Sequence, residues 1–163
     1  MSLVHGVPQG SCIGPIAFLA YTSELADITQ DYNISVMSYA DDIQLSVSCK
    51  PLPHIVQNTI DNINNCISDI RRFLLSHTLK INDNKTVFMS IGTKQQLSKI
   101  NLNETYITVG NSIIKNSEHT INLGFTFDAN MNLNKQINNV CKKSYYQIVK
   151  IGQIKNYITK KNT

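Results

Sequence analysis

Three observations predict a mixed α+β domain in which an antiparallel sheet packs against helices and a helical segment follows. Short apolar runs alternate with a period of two around residues 34–47 and again after residue 86. Two longer stretches, 52–74 and 133–158, instead carry apolar residues at three- and four-residue steps. The 163-residue chain is 42% apolar and 16% charged, enough to build one buried core and unlike a disordered tail.

Residues 15–29 read as a helix, because Pro15 suits a first helical position and Ser11 or Gly14 can serve the exposed N–H groups before it. Ile34, Val36 and Ser38 alternate, then Ile43, Leu45 and Val47, so a hairpin is expected with Tyr39 to Asp42 at its turn. Pro51 and Pro53 stop the second strand. Leu52, Ile55, Val56, Ile60, Ile63, Ile67, Ile70, Phe73 and Leu74 then define a long amphipathic helix, with Arg71 and Arg72 expected to complement its C-terminal dipole.

Val87, Met89 and Ile91 predict a strand ending at Gly92, and residues 93–104 a polar excursion. Tyr106, Thr108 and Val109 lead through Gly110-Asn111 into Ile113 and Ile114 as a second hairpin. Ile121, Leu123, Phe125 and Phe127 alternate as one more strand. From Leu133, positions Ile137, Val140, Ser144, Ile148, Ile151 and Ile158 return to helical spacing, with Gly152 expected to bend or split that helix.

Several function classes lose support at this stage. No apolar run approaches the roughly 20 residues of a membrane span, and no basic-then-apolar leader is visible, so an intracellular, non-secreted chain is expected. Cys12, Cys49, Cys66 and Cys141 show no zinc-ligand spacing and are expected as reduced thiols. His5, His54, His77 and His119 are equally scattered. The net charge of +4 conceals an asymmetry: after Asp128 come seven lysines and no acidic residue, whereas the first 128 residues hold eight basic and 11 acidic side chains. A basic block beside an acidic body suits a polyanion such as nucleic acid, although a solvated lysine face would read the same way.

Two motifs carry chemistry. Gly6-Val7-Pro8-Gln9-Gly10-Ser11, followed by Gly14-Pro15, is a Gly/Pro-rich loop that opens a helix. Tyr39-Ala40-Asp41-Asp42 puts two carboxylates at a hairpin turn. Aspartate is common in turns because it tolerates their geometry, so the pair alone decides little. Consecutive carboxylates projecting from a rigid hairpin nevertheless suit hard cations such as Mg²⁺.

In combination these motifs resemble segments B and C of reverse transcriptases of the non-LTR (LINE-type) retrotransposon family. Leu79-Lys80-Ile81-Asn82-x-x-Lys85-Thr86 resembles segment D, and Asn122-Leu123-Gly124-Phe125 the hairpin that begins the primer grip. The resemblance implies a partial polymerase palm over 1–128 and the start of a thumb-like basic helical region over 129–163. It implies RNA-directed DNA polymerase chemistry, in which two Mg²⁺ ions about 3.5–4 Å apart serve transfer onto a primer 3′-hydroxyl. RNA template, DNA primer and dNTP would be the partners.

By that resemblance Asp41 is the principal metal ligand and catalytic carboxylate, and Asp42 the auxiliary one. Pro8, Gln9, Gly10, Ser11 and Tyr39 would shape the pocket for nucleotide and template. Lys85 would stand where a lysine can protonate leaving pyrophosphate, or be a surface lysine at the start of a strand. Lys142, Lys143, Lys150 and Lys155 would meet nucleic-acid backbone.

The departures matter as much. The family's segment A, an aspartate with an aromatic residue and a second aspartate close behind, has no counterpart here, nor do the fingers; Met1 stands five residues before the first motif. Ile43 replaces the small polar residue often found after the paired aspartates. The chain is therefore expected to be a C-terminal fragment of the domain, inactive alone. The alternative is a non-catalytic nucleic-acid-binding remnant of a retrotransposon.

Overall fold

A computed structural model describes residues 14–39, 42–79 and 81–158, with side chains described from Ser23 onward except those of Asn156 and Ile158. Helix α1 runs from Gly14 to Asp31 and antiparallel strands β1 and β2 from Ser35 to Tyr39 and Asp42 to Ser46. Helix α2 occupies Pro53–Ser76, and the short α3 occupies Lys94–Leu97. Strands β3 and β4 (Tyr106–Val109, Ser112–Lys115) and β5 and β6 (His119–Asn122, Phe125–Asp128) precede the long helix α4, Asn134–Ile158. Helices and antiparallel strands thus occur together, as the α+β expectation requires. The strands form three separate two-stranded ladders among the described residues, where the sequence suggests a shared sheet.

The amphipathic helix α2 organises the core because its apolar stripe is wide enough to serve two clusters. Cys66, Ile70 and Leu74 bury against Leu25 of α1 and Ile34, with Ile43 and Leu45 of β2 packed on them. Val56, Ile60 and Ile67 bury against Ile107 and Val109 of β3. An isolated two-stranded hairpin is marginal in water, and these contacts give β1–β2 and β3–β4 the apolar backing they need. Polar groups of α2 add register: Asn62 Nδ2 donates to the Tyr32 carbonyl at 2.8 Å, and Asn64 Oδ1 accepts from the Thr108 N–H at 2.8 Å. Tyr32 donates to Asp69 at 2.6 Å, which raises the Tyr32 hydroxyl's pKa.

Both central connections are left-handed helix caps. Asn33 has φ 53°, and the Ile34 N–H bonds the Thr29 carbonyl while the Asn33 N–H bonds that of Gln30. This is a Schellman arrangement, which turns the chain from α1 directly into β1. Helix α2 ends the same way, with Thr78 at φ 61°, an uncommon conformation for a β-branched residue.

Four further sequence expectations change. Arg71 and Arg72 do not cap the α2 dipole, because no basic residue lies in its last turn. They bind carboxylates instead, Arg71 with Asp83 at 3.3 Å and Arg72 with Asp69 at 3.1 Å. Residues 87–91 form no ladder beyond a single bridge between Phe88 and Asn116. Phe88 packs on the second cluster while Val87 and Ile91 stay exposed, so the apparent alternation belongs to the wrong face. The run from Ile121 to Phe127 is two strands, turned at Leu123 (φ 48°) and Gly124 (φ 78°). Gly152 neither splits nor ends α4, which is continuous. Among the described residues no helix is long and apolar enough to cross a membrane.

Candidate active-site hairpin and basic helix

The β1–β2 register pairs Ser38 with Ile43 and ends at Tyr39 opposite Asp42. The two residues between them in sequence, Ala40 and Asp41, lie outside the described residues. Because side chains alternate along a strand, Ile43 and Leu45 turn to the first cluster, while Tyr39 and Asp42 share the opposite, exposed face with Met37 and Gln44. Tyr39 is 65% exposed. Ile43, in the place of a small polar residue, therefore anchors the hairpin by packing rather than disturbing the exposed face.

Asp42 is the one described carboxylate on this hairpin. Among the described residues no three His, Cys, Asp or Glu side chains gather as a metal site. Asp41, the motif's other carboxylate, lies outside the described residues, and Asp42 by itself does not make a two-ion centre. Pro8, Gln9, Gly10 and Ser11 also lie outside the described residues.

Lys85 closes a single 3-10 turn, Asp83–Lys85, and is exposed. Its turn is tied to the rest by Asp83, which pairs with Arg71 and also accepts a 3.5 Å contact from the Ser112 hydroxyl. The Arg71 guanidinium in turn lies against Gly110, whose φ is +62°. This Arg71–Asp83–Ser112 link leaves no local signature in the sequence, because its parts are 12 and 29 residues apart.

Lys142, Lys143, Lys150 and Lys155 all lie on α4, and every described side chain from Ile137 to Lys155 is exposed. Lys150 Nζ sits 4.6 Å from the Tyr146 ring centroid, an i, i+4 cation–π contact. The helix is rooted in β6 and the loop after it. Gln136 Oε1 accepts from the Thr126 N–H at 2.9 Å, and Asn139 Nδ2 donates to the Thr126 hydroxyl at 3.3 Å. The Asp128 carboxylate accepts from the N–H groups of Asn130, Asn132 and Leu133. Desolvation opposes ionisation of Asp128, but these donors and the Lys135 ammonium outweigh it and hold its pKa below the ordinary value.

Residues 2–127 match the family model of reverse transcriptase (RNA-dependent DNA polymerase). No curated protein and no solved structure matches the chain. The family match spans more than half of the sequence, including the hairpin with Tyr39 and Asp42 and the turn with Lys85. The chain belongs to the reverse transcriptase family of RNA-dependent DNA polymerases.

Proposed function

We propose that this chain is a palm portion of an RNA-directed DNA polymerase of the non-LTR retrotransposon type. Residues 1–128 are read as palm and 129–163 as the start of a thumb-like region. The observation that carries the reading is the hairpin register: Tyr39 pairs with Asp42 at the end of the ladder, so Asp42 sits at the hairpin's end and Asp41 precedes it in sequence, the two positions at which the family's segment C has its paired carboxylates. The packing of Ile43 and Leu45 on the core supports it, because a carboxylate turn is useful only when its strands are fixed.

Asp41 is proposed as the principal metal-binding carboxylate, Asp42 as its auxiliary, and Lys85 as a group offsetting charge on leaving pyrophosphate. Pro8, Gln9, Gly10, Ser11 and Tyr39 are proposed to line the nucleotide and template pocket. In the complete family centre the chemistry is two-metal nucleotidyl transfer. Residues 1–163 contain no second segment of the kind that supplies the partner aspartate, so this polypeptide alone is proposed not to extend a primer. Phosphoryl transfer depends on positioning and metal electrostatics, and half a centre supplies little of either.

The exposed lysines of α4 favour a second reading, nucleic-acid binding without catalysis. Purified residues 1–163, given a primed RNA template, dNTPs and Mg²⁺, should give no extension above background. Extension that vanishes in Asp41→Ala would show that the polypeptide is a working polymerase and overturn the inactive reading.

A further inference from the structure

Helix α4 has two unlike faces, and both are exposed. Ile137, Val140, Ile148, Ile151 and Ile154 form an aliphatic stripe, and nothing in the structure shows what covers it. Steps of three and four from Lys142 trace the other face through Tyr145, Tyr146 and Lys150 to Tyr157. The tyrosines are 70%, 57% and 80% exposed. The helix carries five lysines from Lys135 to Lys155 and no acidic residue.

We propose that this Lys/Tyr face of α4 binds single-stranded nucleic acid, stacking unpaired bases on Tyr145, Tyr146 and Tyr157 while Lys142 and Lys150 meet phosphates. The inference rests on the reading of α4 as a nucleic-acid-binding helix and deepens it by naming the ligand's strandedness. A second copy of α4 is a poor occupant, since two acid-free lysine helices repel one another. An extended single strand offers both things this face can use: a run of phosphates, and base π-faces free to stack on aromatic rings. In a duplex those faces are already occupied by neighbouring bases, and only phosphates remain for the lysines.

The arrangement of rings and charges supports the same ligand. Lys150 lies over one face of the Tyr146 ring, so a base would stack on the opposite face of this 57% exposed ring with the cation close by for its phosphate. Tyr146 and Tyr157 are eleven residues apart on a continuous helix, about 16 Å along its axis. That separation suits successive positions on one strand rather than a single nucleotide.

The test is fluorescence anisotropy of the full chain with labelled oligo(U), oligo(dT) of the same length, and a blunt duplex, at matched salt. The single strands should bind more tightly than the duplex. Tyr→Ala at a stacking position should weaken single-strand binding by about 5- to 150-fold, leave duplex binding unchanged, and be rescued by Tyr→Phe. Lys142→Gln should reduce the salt slope by about 0.7 for the lost phosphate contact. Oligo(U) and oligo(dT) bound alike would support stacking, and a preference for oligo(U) would add recognition of the 2′-hydroxyl to it. Duplex bound as tightly as single strand, with Tyr→Ala without effect, overturns this inference and leaves the nucleic-acid-binding helix standing. No binding to any of the three overturns both. Alanine is a stronger helix former than tyrosine, so these variants keep α4 intact, and far-UV circular dichroism verifies it.

Discussion

One chemical change, Gly→Ala, should have three different outcomes in this chain. At Gly152 nothing lies within 4 Å of an added Cβ and the residue is inside a helix. Alanine there loses less backbone entropy, so α4 should gain about 0.5–1 kcal/mol. At Gly124 the space is also open, but φ is +78°. A left-handed residue with a Cβ costs about 1–2 kcal/mol, offset by roughly 0.4–1 kcal/mol from the stiffer unfolded chain. The net loss is about 1 kcal/mol.

At Gly110 the same backbone strain applies, φ being +62°, and the Cβ would also overlap the Arg71 guanidinium, with Nη2 at 2.6 Å. Arginine is flexible, so the cost is that of moving it off Asp83. That pair is about a quarter exposed on each side, so solvent screening limits it to the order of 0.5–1 kcal/mol. Gly110→Ala should therefore lose about 2 kcal/mol. Urea unfolding midpoints with unchanged slopes give the order for Gly124 and Gly110 against the parent, and helical signal on heating reports Gly152. Should Gly110→Ala lose no more than Gly124→Ala, the claim that Arg71 is lodged between Gly110 and Asp83 is wrong.

Two other predictions concern titratable groups. Because the folded pKa of Asp128 is depressed, its contribution is present above the ordinary value of 3.8 and disappears as pH falls through the folded value. Asp128→Asn should thus be less stable than the parent at neutral pH, with the gap closing on acidification; a gap independent of pH would mean that the charge is irrelevant to the α4 root. Burial, then the nearby Asp69 carboxylate, pushes the Cys66 thiol up, whereas Cys49 and Cys141 are exposed. A thiol reagent should modify Cys49 and Cys141 rapidly and Cys66 only on unfolding, and equal rates for all three would contradict the first core cluster.

The Tyr39–Asp42 hairpin, α2 and the Gly110-Asn111 hairpin were legible because each is a local pattern with a physical cause. Period-two alternation, a wide apolar stripe opened by proline, and a glycine that accepts positive φ each act within a few residues. The family was legible for a different reason, since its motifs are contiguous segments of unusual composition.

What failed was reading a face or a partner from one strand of text. Val87, Met89 and Ile91 alternate as well as any strand, yet Phe88 is the residue turned to the core, and among the described residues the segment makes a single bridge, Phe88 to Asn116, rather than a ladder. The run 121–127 hid a turn, since alternation continues across Leu123-Gly124 whether or not the chain reverses there. By itself, then, the sequence determined the long helices, the Tyr39–Asp42 and Gly110-Asn111 hairpins and the charge asymmetry, all set by short-range chemistry. Tertiary structure alone decided that α2 serves two cores, that Arg71 serves Asp83 rather than a helix end, and that α4 keeps both faces in solvent, because each depends on what else occupies the space around a side chain.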